Sequence, residues 1–554
     1  MLNSLGGLGR FAASYGGPSP TAPRIFCANP PSFNHWDSTQ QHSNHWTQSH
    51  QSFSNTITGT QFTDISMGYF VLLGFFLNCS ILEHFIMTLS PNLKYATHII
   101  FFISWILFVE ILYGVIPFLD NAKSAVAFSI DESFSPIERY GVVNTFLLYL
   151  LRFLSLLVLP QCICNSLGLI LFNSFKDRIK LKTTPLLAPF ICFRVVTKGD
   201  YPDLVKVNLE KNLQMCYEAG LESFIFEVVT DKAIHLPHCS NRVREIVVPH
   251  AYKCVLLLVV WSRALQYCLE DEVNIVRDED WIVHLDEETL LSINSLNGIL
   301  NFCEDGRHQF GQGVITYAQG DIVNWITTLS DSFRVADDMG KLRFQFKVFH
   351  KPLFGWKGSF VVTNAGAEKK VSFDHGPEGS IAEDCFFSMV AFRDGYSFDF
   401  IEGEMHEKSP FTFWDFLQQR RRWLQGIYLT VHSKFIPLRC KILLASSLYA
   451  WVTMPLTTLQ IFLSPFCPLP RSFLLDFLVV FVGAVNLYMY IFGVIKSFSH
   501  KYRNDPWKLL IYTLGAFVAI PFNVWIENVA VIMGMCSHKF EFYVVNKDTR
   551  VIIV

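Results

Sequence analysis

Trp281-Ile-Val-His-Leu-Asp-Glu-Glu-Thr289 is an apolar run that ends abruptly in three consecutive acids. Ile282, Val283 and Leu285 have the character of a strand buried in a sheet. Asp286, Glu287 and Glu288 then fall where that strand emerges. On an extended backbone, side chains two apart share a face, so Asp286 and Glu288 point together while Glu287 points away. Two converging carboxylates at a strand's carboxyl end can hold a hard divalent cation and, through it, a diphosphate. A solvated acidic turn after a core strand is the commoner meaning of such a stretch taken alone, so the rest of the chain has to decide.

Apolar runs with charged ends recur around this stretch. Phe190–Thr197 leads into Lys198-Gly199-Asp200, Phe224–Thr230 leads into Asp231, and Glu245–Pro249 is a third short run. Tyr201–Gly220 and Ser262–Glu270 have helical spacing. Strands alternating with helices predict an α/β domain with a mostly parallel sheet covered by helices. Ligands in such folds sit beyond the carboxyl ends of the strands, and Asp231 and Asp286 both fall there. Leu342–Phe349 alternates as a half-exposed strand would. Gly311-Gln-Gly313 is not a dinucleotide fingerprint, since Thr316 stands at the sixth position. Trp356-Lys-Gly-Ser359 reads equally as a plain turn or as the wall of an acceptor pocket.

Composition sets this domain in a membrane protein. Of 554 residues, 51% are hydrophobic and 17% charged, with 52 phenylalanines; soluble domains carry about a quarter charged residues. The net charge of −3 points to no nucleic-acid partner. None of the 14 cysteines forms a C-x-x-C pair, so neither a zinc site nor a disulfide framework is predicted. Residues 1–65 are polar and of low complexity and read as a disordered tail with no secretory signal. Residues 66–173 carry the first apolar segments: Met67–Leu89 (interrupted by Glu83 and His84), His98–Phe118, and Val142–Phe172 with a kink expected at Pro160. Residues 439–535 carry three more, Ile442–Leu463, Phe473–Ile495 and Leu509–Met535, before a tail at 536–554. The segment 174–438 between the groups has ordinary charge content. Lys176, Arg178, Lys180 and Lys182 follow the early spans, and Arg420, Arg421, Arg422, Lys434, Arg439 and Lys441 precede the late ones. This clustering predicts that the domain faces the cytosol.

Two further stretches carry candidate chemistry. In Ser380-Ile-Ala-Glu-Asp-Cys-Phe386, Glu383 and Asp384 precede a helix start. They are either acids favoured at a helix N-terminus or a general base for a hydroxyl attacking a sugar carbon. The helix Phe413–Gly426, entered through Ser409-Pro410, sets Gln419, Arg422 and Trp423 on one face. Such a set can grip a diphosphate and stack on a sugar; an amphipathic helix at the headgroups has the same pattern.

The succession Asp231, Asp286-Glu-Glu288, Glu383-Asp384, Gln419-Arg-Arg-Arg-Trp423 resembles the D, D-x-D, E-D, Q-x-x-R-W signature of family-2 glycosyltransferases with a Rossmann-like GT-A fold. The strings His284–Thr289, Gly311–Gly313, Phe333–Arg343, Ala382–Phe387 and Phe416–Gly426 look like those of the Egghead-type β-1,4-mannosyltransferases of glycosphingolipid synthesis. The resemblance covers about residue 140 to the end. It implies an inverting transfer of mannose from GDP-mannose to the 4-hydroxyl of the glucose in glucosylceramide, in a multi-pass protein of the endoplasmic reticulum or Golgi. It further implies that Asp231 contacts the nucleotide and that Asp286 and Glu288 hold Mg²⁺ or Mn²⁺ on the diphosphate. Asp384 would be the base with Glu383 beside it, and Gln419, Arg422 and Trp423 would line the acceptor and diphosphate side. One stretch departs from the pattern. Where the family has a Gly-containing segment ending in a basic residue, this chain has Cys254-Val-Leu-Leu-Leu-Val-Val-Trp261, too short to span a bilayer. Lys253 or Arg263 is expected to replace that cation in part. A processive β-polysaccharide synthase would use the same motifs, and a non-catalytic scaffold would tolerate the departure.

Overall fold

The structure is a computed structural model that describes residues 90–116, 134–236, 241–252, 260–318, 320, 322–379, 381–499, 501–502, 505–537 and 543–547. The strands are β1 Ile191–Thr197, β2 Phe224–Thr230, β3 Val243–Val247, β4 Trp281–Asp286, β5 Phe310–Thr316, β6 Val361–Asn364 and β7 Phe398–His406. They form one sheet in the order β3-β2-β1-β4-β6-β5-β7. Only β6 runs against its neighbours, β4 and β5; the other pairs are parallel. The carboxyl ends of six strands and the amino end of β6 therefore meet along one edge. The sheet is mostly parallel, as the alternation predicted, and β3 begins two residues before the predicted run.

A polar row inside this sheet explains His284, the one polar residue in the apolar part of β4. Arg194 lies beside Glu227 and His284 in register, and Arg244 lies beside Glu227. Arg194 donates to Glu227 (3.0 Å) and to Glu368 (3.1 Å), Arg244 donates to Glu227 (3.2 Å), and His284 Nε2 is 2.6 Å from Glu368. Arg194, Glu227 and Glu368 are fully buried. A buried charge survives only when paired, so this row fixes the register of β3-β2-β1-β4 and the exit point of Asp286.

The membrane candidates are α1 Pro91–Leu112, α2 Pro136–Leu154 continued by α3 Leu159–Leu171, α13 Phe473–Phe498 and α14 Pro506–Cys536, with the shorter α11 Leu438–Val452 and α12 Met454–Leu463. Among the described residues, four helical segments are long and apolar enough to cross a membrane. The bent pair α11 and α12, turned by 51°, makes a fifth if it counts as one span. Val142, Val143 and Phe146 on α2 and Ile100 on α1 are exposed, as lipid-facing side chains are. The expected disturbance at Pro160 is a 3₁₀ stretch, Ser155–Val158, in the turn just before it; a further break, at the non-helical Gly141, precedes the predicted run. Met67–Leu89 lies outside the described residues.

The predicted strand Leu342–Phe349 is helical. Helix α7, Trp325–Asp337, runs on through wide π-type turns at Asp338–Leu342 and Gln345–Phe349. The alternation misleads because a charged position is buried. Arg343 packs on the Phe172 and Phe400 rings and donates twice to Glu402 (2.7 and 2.9 Å). Helix α7 also ties the sheet to the membrane helices. A Cβ at Gly493 on α13 would stand 1.8 Å from the Ser332 carbonyl oxygen, so the two backbones touch there. Gly493→Val is expected to separate them and cost about 1–3 kcal/mol, the range of core overpacking, read as a lower Tm in detergent; an unchanged Tm would mean that α13 slides freely on α7.

Candidate active site

Four further helices complete the site: α4 Pro202–Glu218, α5 Val260–Tyr267, α9 Glu383–Arg393 and α10 Phe413–His432. Strand β4 stops at Asp286, and the Thr289 N–H donates to the Asp286 carbonyl (3.0 Å), closing a turn. Asn208 and Asn212, one turn apart on α4, donate to the carbonyls of Glu287 (3.0 Å) and Thr289 (2.9 Å). Asn212 also accepts the Leu291 N–H (2.9 Å). The acidic turn is thus held from behind by two amides.

Glu287 does not project into solvent as a spare acid. It is buried, accepts from the Thr197 hydroxyl at the end of β1, and lies 2.8 Å from Lys547 Nζ. Lys547 also donates to Glu288. The pleat argument fails beyond Asp286 because the turn, not a strand, aims the two glutamates. A fourth carboxylate, Glu407, follows β7 and accepts from the Thr289 hydroxyl (2.6 Å), which also touches Ser359 (2.9 Å).

The carboxylate of Asp286 takes no hydrogen bond or ion pair among the described residues. Burial, then Glu407 and Glu288, push its pKa well above the ordinary carboxylate range, against Lys547 and Arg422. Burial raises that of Glu288 as well, with Lys547 opposing and Glu407 and Glu287 reinforcing. Burial works against the charge on Lys547, yet Glu288, Glu287 and Asp286 hold its ammonium firmly protonated. Four acids face two cations here, and the surplus of hard oxygen suits a divalent cation. Among the described residues, no group of three or more His, Cys, Asp or Glu side chains could hold a metal by itself. Asp286 and Glu288 fit an ion that takes its remaining oxygens from a diphosphate and water.

Asp231 follows β2 on the same edge and pairs with Arg263 on α5. These two expected donor residues are therefore together. Residues 253–259, most of the departing stretch, lie outside the described residues.

Glu383 and Asp384 open α9, as predicted; the helix begins at Glu383. Asp384 accepts the Cys385 N–H (2.7 Å), and Trp356 Nε1 donates to its carbonyl (2.7 Å). A Cβ at Gly358 would stand 3.3 Å from Asp384 Oδ2, so the Trp356–Ser359 loop runs between the Asp384 carboxylate and the acidic turn. Burial raises the pKa of Asp384, opposed by the Cys385 N–H and by Arg422. Burial and the neighbouring Asp384 push Glu383 up to about 8. With its pKa near 8, Glu383 holds a proton at neutral pH.

Helix α10 starts at Phe413, with the Thr412 hydroxyl accepting the Asp415 N–H (3.0 Å). Its cap is Thr412 rather than the predicted Ser409-Pro410, because a side-chain acceptor outweighs a proline placed too far upstream. Gly426 lets the helix press on α9: a Cβ there would meet the Ala382 Cβ at 2.4 Å. Gln419, Arg422 and Trp423 are half-buried. The charge of Arg422 acts on Asp286, Glu383 and Asp384 alike. Trp423 packs against two guanidiniums, those of Arg334 and Arg420, each 4.5 Å from its ring centroid. Glu407 and Lys547 were beyond sequence reading, since neither sits in a patterned stretch.

The model for glycosyl transferase family group 2 matches residues 281–496. Over 464 residues, 84% of this chain, β-1,4-mannosyltransferase bre-3 of Caenorhabditis elegans is 65% identical and is covered over its whole length. β-1,4-Mannosyltransferase egh of Drosophila melanogaster is 57% identical over 464 residues, with 84% of this chain and 99% of that protein covered. Among solved structures, the mannosyltransferase PcManGT of Pyrobaculum calidifontis, in complex with GDP-Man and Mn²⁺, is similar at 14% identity and a TM-score of 0.38, over 68% of this chain and 99% of its own. With this sheet order and these relatives, the fold is GT-A-like and the chain belongs to the β-1,4-mannosyltransferases of glycosyl transferase family group 2.

Proposed function

We propose that the protein transfers mannose, with inversion, from GDP-mannose to the 4-hydroxyl of the glucose in glucosylceramide. The observation that carries this reading is the Trp356–Ser359 loop, which lies against Asp384 through Trp356 and Gly358 and against the acidic turn through Ser359, so that the two acid groups are neighbours. A donor-diphosphate site and a base for the acceptor then share one edge of the sheet. Asp384 takes the proton from the acceptor hydroxyl. The freed oxygen forms a bond to the anomeric carbon while the bond from that carbon to the diphosphate oxygen breaks, and GDP leaves with the electron pair. Asp286 and Glu288 would hold Mg²⁺ or Mn²⁺, which neutralises charge building on the leaving diphosphate. Arg422 adds a fixed positive charge from the other side, and Asp231 with Arg263 takes the nucleoside. Gln419 and Trp423 line the acceptor side. Protonated Glu383 stays neutral and does not compete with Asp384 for the proton.

In this reading the catalytic part is residues 174–438, held on the cytosolic face of the endoplasmic reticulum or Golgi between membrane segments 66–173 and 439–535. A lipid acceptor accounts for an active site tied to membrane helices. Purified protein given labelled GDP-mannose, Mn²⁺ and glucosylceramide should yield a lipid carrying one added mannose. A polymeric product, or transfer only from a uridine-linked donor, would replace this reading.

A further inference from the structure

The loop Trp356–Ser359 reaches both halves of the candidate site. Trp356 braces the start of α9: its Nε1 donates to the Asp384 carbonyl (2.7 Å) and its ring stacks on Phe387 at 5.7 Å. Gly358 lies against the Asp384 carboxylate. Ser359 Oγ accepts the Asp286 N–H (3.4 Å) and is 2.9 Å from the Thr289 hydroxyl. Between them Lys357 ties the loop down. Its N–H donates to Gln312 Oε1 on β5 (3.1 Å), and its ammonium pairs with Asp338 just beyond α7.

Asp338 is buried, and its second carboxylate oxygen takes no hydrogen bond among the described residues. It opens the π-type turn Asp338–Leu342, and wide turns of this kind gather at functional positions. This turn is clamped to the membrane helix α3. The Lys341 N–H donates to Asn165 Oδ1 (2.6 Å), and Asn165 Nδ2 donates to Asp337 (3.1 Å). Lys341 Nζ reaches both Gln161 and Asp337 at 2.9 Å. A Cβ at Gly168 would stand 2.0 Å from the Gly340 carbonyl oxygen, so helix and turn meet backbone to backbone. Asn165 and Gly168 both belong to the span that ends at Leu171.

The lipid anchor of a glycolipid fixes how far its sugar hydroxyls stand above the bilayer, so a base that serves it has to sit at a matching height. We propose that Lys357 is a positioning residue for the transfer: through Asp338 and the π turn it ties the loop, and with it Asp384 and the acidic turn, to the membrane helix α3. Lys357 acts through the loop and takes no part in proton transfer. The proposal rests on the reading of Asp384 as the base for a membrane-anchored acceptor.

The test is a double-mutant cycle on the full chain in lipid nanodiscs, with GDP-mannose as donor and glucosylceramide in the bilayer. Lys357→Met should lower kcat by about 10²-fold, the scale of a 1 Å misplacement. The KM for GDP-mannose should stay at its wild-type value, because the lost alignment is needed only in the transition state. Asn165→Ala, at the membrane end of the tie, should lower kcat by about tenfold, the worth of one hydrogen-bonded clamp. The double variant should be no slower than Lys357→Met alone, since both changes break one connection. If Lys357→Met fails to fold because Asp338 is left as a buried unpaired charge, Lys357→Met with Asp338→Leu takes its place in the cycle. An unchanged kcat in the folded variant would overturn the proposal. So would a rise in KM that accounts for the whole loss, or losses that multiply in the double variant, which would make the two ends independent. A wild-type protein that binds GDP-mannose but leaves glucosylceramide untouched would instead remove the acceptor reading itself.

Discussion

Asp384→Asn is expected to lower mannosyl transfer by roughly 10²–10⁴-fold, the usual contribution of a positioned general base, while Tm stays at its wild-type value. The asparagine keeps the shape and the oxygen that accepts the Cys385 N–H, and Trp356 bonds the unaltered backbone carbonyl. Only the proton acceptor is lost. Glu383→Gln should be much milder, because Glu383, raised to about 8, already carries a proton at neutral pH. The pH profile gives a second check. A carboxyl whose pKa is raised keeps its proton to a higher pH, so the ionised base disappears as pH falls through that value. Transfer should therefore decline on the acid side at a pH above the ordinary carboxylate range, and this limb should be missing from the residual activity of Asp384→Asn. Equal losses from the two substitutions would mean that the acids act as one unit; a larger loss from Glu383→Gln would exchange their roles.

Four of the seven strands, β1 to β4, were legible in the sequence. β1, β2 and β4 are apolar runs with charged ends, each broken only by its member of the buried polar row, Arg194, Glu227 or His284, which is close to what a central parallel strand looks like. β5 was not, because Gly311 and Gly313 weaken any strand reading. Both are required by packing: a Cβ at Gly311 would strike the Phe302 ring at 2.8 Å, and one at Gly313 the Phe360 ring at 2.2 Å. β7 was hidden by Asp399, Glu402 and Glu404, of which Asp399 and Glu402 pair with Lys347 and Arg343 of the helical stretch that resembled a strand. In the site, each acid that ends a strand or opens a helix could be found from its position. Glu407 and Lys547 could not, because their importance arises only when β7 and the segment Tyr543–Lys547 lie against the acidic turn.

The three consecutive arginines of α10 separate in the structure into three different tasks, and the second large effect follows from that. Arg420→Ala should cost about 3–5 kcal/mol of stability, the range for breaking a buried ion pair by removing one partner. Arg420 is buried, 2.6 Å from Asp331 on α7 and 2.9 Å from Glu527 on α14, with the Phe416 ring 4.1 Å from its guanidinium. Its removal leaves the buried Asp331 and the half-buried Glu527 without the cation they share. Adding Asp331→Asn should return part of the loss, since coupled partners are not additive. Arg421 instead donates to Ser537 (2.7 Å) at the end of α14 and to Gln418 (3.3 Å) on its own helix. The charge of Arg422 acts on Asp286, Glu383 and Asp384, so Arg422→Ala should keep Tm nearly unchanged and lower transfer by roughly 10²–10³-fold, as loss of a charge aimed at the transition state does. Thermal unfolding and transfer rates measured on both variants separate the roles. A stable but inactive Arg420→Ala would place Arg420 at the substrate, whereas an unfolded Arg422→Ala would make Arg422 a structural strut between α9 and α10. The sequence pattern treats the triplet as one basic cluster at a membrane junction. Burial divides it, because a helix turns by about 100° per residue and sends three neighbours to three different environments.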